Sequence, residues 1–182
     1  MTVLTRSEKM HPLLSYIRVL FIVFLGSSLA WADGVSSKLS SLEITNLQHP
    51  LENIYASGQP AEESFSALAQ AGIQVIVNLR PQVEQDWNEQ AVVESLGMRY
   101  INLPIAGSGG VTHDNAKKLA VILAELEGKQ VLVHCSSGNR VGALTALNSF
   151  EKNDGDLNAA IDEGKKWGLT ALEPFVREKL SK

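Results

Sequence analysis

Short apolar segments that alternate with helix-like segments constrain the fold of this chain more than any other feature. The apolar segments lie at 54–57, 74–79, 99–105 and 130–135, and apolar side chains at helical spacing follow each of them. Such alternation favours parallel strands in one sheet with helices packed on both faces. We therefore predict an α/β domain of three layers, with a central, mostly parallel sheet of about four strands flanked by helices.

Capping and stop signals set the helix boundaries. Gly72 and Gly97 each follow a helical pattern and are typical stop residues, and Thr112 is a typical N-cap. We see no repeat and no second domain, so 53–182 is predicted to be one unit, and the polar, serine-rich segment 33–52 an irregular N-terminal arm. Helices are predicted at 61–71, 84–96, 112–127, 140–151, 155–166 and 170–180.

The first thirty-two residues have the features of a secretory signal peptide. Basic residues precede an apolar run of about twelve residues from Val19, too short for a comfortable transmembrane helix. Ala30 and Ala32 then provide the small-x-small pattern of a cleavage site. We expect removal of 1–32 and export to the periplasm or the medium, with no stable membrane span afterwards. An uncleaved N-terminal anchor is the alternative.

Composition limits the partners. The chain holds 16 Lys and Arg against 20 Asp and Glu, a net charge of −4, whereas nucleic-acid binders are more often basic. We therefore expect no nucleic-acid partner. The histidines at 49, 113 and 134 lack the spacing of metal ligands. We predict neither a metal nor any other cofactor.

The only cysteine of the chain, Cys135, lies where an apolar strand gives way to a helix that begins near Arg140. It has no internal partner for a disulfide. Free N–H groups and the helix dipole at such a junction bind anions, and Arg140 can donate two parallel hydrogen bonds to an oxyanion. The same field should lower the pKa of Cys135 well below about 8.5 and make it a nucleophile. A buried structural cysteine is the alternative.

The segment around Cys135 resembles the phosphate-binding loop of cysteine-dependent protein tyrosine and dual-specificity phosphatases, in which an HCxxG motif precedes an arginine. YASGQP at 55–60, VIVNLRP at 75–81 with Glu84, and Leu103 with Pro104 are similar to a bacterial subgroup of that superfamily. The subgroup is the phosphatase-like domain called DUF442 or beta-lactamase-hydrolase-like. The matching pieces span about 53–150 of this chain.

The resemblance implies a dual-specificity-phosphatase-like fold and a hydrolase acting on a phosphorylated protein or small molecule. Cys135 would be the nucleophile that forms a phosphocysteine, with His134 behind the thiolate. Arg140 would act with it in catalysis. The phosphate would be bound by Ser136, Ser137, Gly138, Asn139 and Arg140.

Three features depart from the phosphatase pattern. Four residues separate Cys135 from Arg140, where the superfamily has five, and Val141 stands where it usually has Ser or Thr. The loop 104–110 carries no acid, although such phosphatases hold their general acid there. We assign that role to Asp114, just beyond the loop. Glu84 and Asp86 are the other carboxylates near the predicted site.

Two other functions fit parts of this pattern. Rhodanese-like sulfurtransferases have a gap of four residues between cysteine and arginine and stabilise a persulfide. His134 and the lack of the usual Gly-His-Ile segment argue against that interpretation. A pseudo-phosphatase that binds a phosphorylated ligand without turnover is the third, favoured by Val141 and by the missing acid.

Overall fold

The computed structural model describes residues 29–182. Residues 1–28, which hold most of the predicted signal peptide 1–32, lie outside the described residues. A 3-10 turn lies at Gln82–Glu84. The helices and strands are α1 (Leu29–Ser40), β1 (Gln48–Leu51), β2 (Ile54–Ser57), α2 (Ser64–Ala71), β3 (Val75–Asn78), α3 (Glu89–Ser95), β4 (Arg99–Asn102), α4 (His113–Glu125), β5 (Val131–His134), α5 (Asn139–Lys152), α6 (Leu157–Lys166) and α7 (Glu173–Leu180).

The sheet has five strands in the order β1-β2-β5-β3-β4. The strands β2, β5, β3 and β4 are parallel, and β1 pairs antiparallel with β2 at one edge. The predicted α/β architecture and the mostly parallel sheet are therefore confirmed. The four predicted strands are all present, each shorter than its predicted segment except β2, and β1 is an additional strand.

Alternate side chains of the central strands face opposite sides of the sheet. Val131 and Val133 of β5 join a core with α4, α5, α6 and α7, whereas Leu132 joins a second core with α1, α2 and α3. All four residues of β5 and all four of β3 are buried. Burial on both faces explains why these strands are continuous apolar runs without alternation, and it gives the predicted three layers.

The segment 33–52, expected to be irregular, contains most of α1 and the whole of β1. Leu39 of α1 is fully buried in the core that contains α2. The edge strand β1 includes Pro50, which an edge position tolerates because one side of the strand has no partner to pair with. The proline in β1 and the small number of apolar residues in 33–52 explain why the apolar pattern of the sequence did not predict α1 and β1.

The predicted helix 84–96 begins five residues late, at Glu89. Asn88 caps it by accepting a hydrogen bond from the backbone N–H of Ala91 at 3.1 Å. The side chain of Gln85 donates instead to the carbonyl of Arg80 at 3.1 Å. Glu84 therefore lies in the 3-10 turn after β3 and not in α3.

The carboxyl ends of the parallel strands lie side by side. Ser57, Asn78 and Asn102, the last residues of β2, β3 and β4, are in register with His134 of β5 or with each other. The loops that follow these strands therefore meet at one edge of the sheet, where ligands bind in open α/β sheets. Among residues 29–182, no helix combines the length and apolar character needed to cross a membrane.

Candidate active site

Cys135 directly follows β5 and precedes the first turn of α5. Its backbone N–H donates to the carbonyl of Ser57 at 3.3 Å, and its Sγ accepts the N–H of Gly138 at 3.1 Å. Gly138 has φ of 85°, and a Cβ there would lie 2.5 Å from the Nδ2 of Asn46. Glycine is thus required for the loop to turn the N-terminal end of α5 towards the sulfur.

Arg140 is buried beside Cys135 and makes four hydrogen bonds. Its Nη1 donates to Oε1 of Glu84 at 3.0 Å and to the carbonyl of Ile105 at 2.6 Å. Its Nη2 donates to Oε2 of Glu84 at 2.6 Å and to Oγ of Ser136 at 3.0 Å. Burial alone would lower the pKa of Arg140, but the hydrogen bonds to Glu84 and the interaction with Cys135 raise it, so the guanidinium stays charged.

Glu84 places its carboxylate where an oxyanion bound to Arg140 would lie. We call the region bounded by Cys135, residues 136–139 and Arg140 the anion pocket. The hydrogen bond with Arg140 lowers the pKa of Glu84, against the opposing effect of burial. Nε of Arg80 lies 4.0 Å from Oε2 of the same carboxylate. The two-pronged pairing of Glu84 with Arg140 resembles the way that guanidinium binds phosphate.

The other predicted acids do not contact the anion pocket. Asp114 lies in the first turn of α4 and forms a surface ion pair with Lys118 at 2.6 Å. No hydrogen bond or ion pair joins Asp114 or Asp86 to Cys135 or Arg140 within the described part of the chain. The loop 104–110 contributes the carbonyl of Ile105 to Arg140 and, as its sequence requires, no carboxylate.

Asn46 and Asn139 connect the loop 136–139 to other parts of the fold by hydrogen bonds. Nδ2 of Asn46 donates to the carbonyls of Ser137 at 3.0 Å and Gly168 at 2.9 Å. Oδ1 of Asn139 accepts from the backbone N–H and the hydroxyl of Thr170 and from the N–H of Leu172. Oδ1 of Asn139 therefore joins α5 to 170–172, and its Nδ2 donates to Oγ of Ser137 at 3.3 Å.

His134 is held by a carboxylate that the sequence analysis did not single out. Its Nε2 lies 2.8 Å from Oε1 of Glu89, and both side chains are buried. Oε2 of Glu89 accepts from Nε2 of Gln59 at 2.7 Å, and Oε1 of Gln59 accepts from Nη1 of Arg80 at 2.6 Å. An acid in the first turn of a helix is common at exposed positions, so the sequence held no signal that Glu89 is buried.

Because Arg140 lowers the pKa of Glu84, the ion pair should stabilise the protein at neutral pH and lose that effect in acid. A group whose pKa is lowered on folding contributes fully above its ordinary value of 4.5, and the contribution disappears as the pH falls through the lower folded value. We expect Glu84→Gln to reduce the free energy of unfolding by about 1–2 kcal/mol at pH 7 and by much less at pH 3.

Denaturant unfolding of the parent and of Glu84→Gln between pH 7 and pH 3 measures this difference. Glu94→Gln, on the exposed side of α3, removes a charge that pairs with no arginine in the described part of the chain, and it is the matched control. A difference for Glu84→Gln that stays constant over this pH range would contradict the pairing with Arg140.

The chain is similar to known proteins over most of its described length. Residues 33–164 match the family model described as DSP-PTPase phosphatase fused to NAD+ kinase. The chain is 37% identical over 102 residues to a beta-lactamase hydrolase-like protein of Xylella fastidiosa, covering 53% of this chain and 23% of that protein. It is 31% identical over 125 residues to a protein of the same description from Agrobacterium fabrum, covering 65% and 28%. The chain thus spans about a quarter of the length of these curated relatives.

Solved structures share the fold. A candidate phosphatase of the DUF442 group from Shewanella putrefaciens superposes with a TM-score of 0.58 at 23% identity, covering 80% of this chain and 95% of that one. A candidate phosphatase from Neisseria meningitidis gives a TM-score of 0.59 at 22% identity, covering 75% and 96%. The resemblance that the sequence motifs indicated is confirmed, and so is the phosphatase-like fold.

Proposed function

This chain belongs to the family described as DSP-PTPase phosphatase fused to NAD+ kinase, and from that premise we propose that it hydrolyses phosphomonoesters through a phosphocysteine at Cys135. One observation carries the proposal: Sγ of Cys135 faces the N–H of Gly138 at the start of α5, with the guanidinium of Arg140 beside it. A thiol in that position is next to an anion site, which is the arrangement needed for attack on phosphorus.

Substrate binding in this proposal replaces an internal anion. The phosphoryl oxygens take the place of the Glu84 carboxylate on Arg140 and accept hydrogen bonds from the backbone of 136–139. The total number of charge-assisted hydrogen bonds to Arg140 is then kept. The carboxylate of Glu84 moves aside, towards Arg80, whose Nε lies 4.0 Å away.

Two displacement steps follow. The thiolate of Cys135 attacks phosphorus, the bond from phosphorus to the ester oxygen breaks, and that oxygen leaves with the bonding electron pair as an alkoxide or phenolate, which takes a proton from solvent water. A water molecule then attacks phosphorus, the phosphorus–sulfur bond breaks, and its electron pair returns to Sγ. Glu84, an ionised carboxylate that contacts the pocket, is suited to accept the proton of that water.

The leaving group has weak acid assistance. The lowered pKa of Glu84 makes it a poor acid at neutral pH, and the predicted acid Asp114 is paired with Lys118 at the surface. A positioned acid contributes about 10²–10⁴-fold to such a reaction. We therefore propose a preference for good leaving groups, such as the phenolate of an aryl phosphate.

A non-catalytic phosphate-binding protein is the second candidate. Glu84 already occupies the guanidinium of Arg140, and Val141 is buried in the core and has no hydroxyl for the second step. Both features are compatible with a pocket that binds a phosphorylated ligand without releasing phosphate.

The test assays one preparation of the full chain for three properties: phosphate release from an aryl phosphate, thiocyanate formation from thiosulfate and cyanide, and binding of inorganic phosphate. Phosphate release, together with a phosphoryl group on the peptide that contains Cys135 after acid quenching, would support the phosphatase. Thiocyanate formation alone would replace it with a sulfurtransferase. Phosphate binding without either reaction would favour the non-catalytic protein.

Export is a further proposal, supported by the basic leader, the short apolar run and the Ala30–Ala32 cleavage pattern of the sequence. Fractionation of cells that produce the full chain, with N-terminal sequencing of the product, tests it. A mature product that begins at Asp33 outside the cytoplasm is expected.

A further inference from the structure

A chain of hydrogen bonds, buried at its inner end, connects Arg80, near the anion pocket, to the residue before the nucleophile. Arg80 donates to Gln59 at 2.6 Å, Gln59 donates to Glu89 at 2.7 Å, and Glu89 contacts His134 at 2.8 Å. The exposed fraction is 1% for Glu89 and zero for His134. A buried carboxylate and imidazole are costly unless they are paired, so these contacts fix both side chains.

Arg80 determines which groups donate and which accept in the hydrogen bonds that run from Arg80 through Gln59 to Glu89. Arginine has only donors, so the oxygen of the Gln59 amide must face Arg80 and its NH₂ group must face Glu89. Oε2 of Glu89 is then always an acceptor, and Oε1 is left to share a proton with Nε2 of His134. Nδ1 of His134 is buried and has no hydrogen-bond partner among the described residues. Glu89 is therefore the polar group that orients the imidazole.

The imidazole stands at the point where β5 ends. The carbonyl of His134 accepts the N–H of Leu79 at 2.8 Å, and the N–H of Cys135 donates to Ser57 at 3.3 Å. These two backbone bonds fix the end of the strand, and the side chain of His134 adds a third contact, to Glu89 at the start of α3. The next residue carries the sulfur that meets the N–H of Gly138.

We propose that Glu89 is a positioning residue for Cys135. Acting through His134, it holds the sulfur against the start of α5. Acting through Gln59, it links that placement to Arg80 and so to the Glu84 carboxylate 4.0 Å from Arg80. The inference rests on the proposed function in one respect, that Cys135 is the reacting group.

The variant Glu89→Gln tests this with little change in volume. A glutamine offers one acceptor and one donor, whereas the carboxylate of Glu89 offers two acceptors. If the glutamine oxygen keeps the bond from Gln59, its NH₂ group faces Nε2 of His134, so either that bond is lost or the imidazole proton moves to Nδ1, which is buried and has no partner among the described residues. We expect kcat for an aryl phosphate to fall by about 10–100-fold with KM changed less than about threefold, because a small misplacement of a reacting atom costs that much. Glu94→Gln, an exposed position of the same helix, is the matched control and should match the parent.

Two readouts are independent of turnover. Alkylation of Cys135 by iodoacetamide should slow by about 10-fold in Glu89→Gln and not in Glu94→Gln. The NMR signal of the His134 ring proton that faces Glu89 should also move in Glu89→Gln and stay unchanged in Glu94→Gln. A substitution that altered only the packing of α3 would not shift this signal. If Cys135→Ser kept full phosphatase activity, the proposed function would fail, yet these two readouts would still decide the role of Glu89.

A folded Glu89→Gln protein with parental alkylation rate and an unchanged His134 signal would overturn the proposal. If Glu89→Gln does not fold, Gln59→Met decides, because it removes one bond to Glu89 at a partly exposed position. Gln59→Met should then slow alkylation of Cys135 at least about threefold, and a parental rate would overturn the proposal.

Discussion

Replacing Cys135 with serine should lower phosphate release from an aryl phosphate by about 10⁴-fold or more. The reason is chemical, since a serine hydroxyl is not ionised at neutral pH and no side chain able to accept its proton is hydrogen-bonded at position 135 among residues 29–182, whereas a thiolate is a strong nucleophile. The fold should survive, because the hydroxyl can accept the N–H of Gly138 as Sγ does at 3.1 Å. Steady-state rates of phosphate release measure the loss.

Binding of inorganic phosphate is the control for the serine variant. The backbone of 136–139 and Arg140 remain in Cys135→Ser, so its affinity for phosphate should equal or exceed that of the parent. A variant that binds phosphate normally and also retains more than about a tenth of the parental rate would show that the nucleophile lies elsewhere. Loss of both properties would instead point to collapse of the loop.

The sequence predicted the relative placement of those candidate site residues that lie close together in the chain. Cys135, Gly138 and Arg140 fall within six residues that follow β5, so strand, turn and helix patterns alone place the sulfur at the start of α5. Likewise the central strands are buried on both faces and carry a strong apolar signal. A strand–turn–helix unit needs no knowledge of the rest of the fold.

The choice of carboxylate depended on strand order, which periodicity does not reveal. In the sheet β5 lies between β2 and β3, so the loop after β3, with Glu84, is directly beside the Cys135 loop. The strand β4 is one position further out, and Asp114 follows it at the start of α4. The family resemblance places the general acid near the loop after β4, which led to Asp114, whereas the carboxylate that contacts Arg140 is Glu84, in the loop after β3.

The sequence also did not predict contacts between residues that are far apart in the chain. Asn46 supports Ser137 and Gly168, which lie 91 and 122 residues away. Glu89 is 45 residues from His134. A polar residue whose partner is that distant looks in the sequence like any surface Asn or Glu, and only the folded structure shows that Asn46 is bonded to two distant carbonyls and that Glu89 is buried.

Substituting lysine for Arg140 should lower kcat/KM for an aryl phosphate by about 10²–10³-fold, although the positive charge is kept. The ammonium group cannot donate two parallel hydrogen bonds, and four bonds depend on the fork: two to Glu84, one to Ile105 and one to Ser136. Affinity for inorganic phosphate, measured by calorimetry, should fall in the same variant, because the phosphoryl group uses the same fork in the ground state and in the transition state.

Arg177→Lys is the matched control for Arg140→Lys. Arg177 lies on α7, pairs with Glu173 at 2.8 Å and has a side chain that is 39% exposed. The same change there should leave kcat/KM and phosphate affinity as in the parent. If Arg140→Lys lost less than about threefold in both quantities, its pairing with Glu84 would be only a structural ion pair. The phosphate would then be bound by the backbone of 136–139 alone, and the conclusion that Glu84 marks the position of a substrate oxyanion would be wrong.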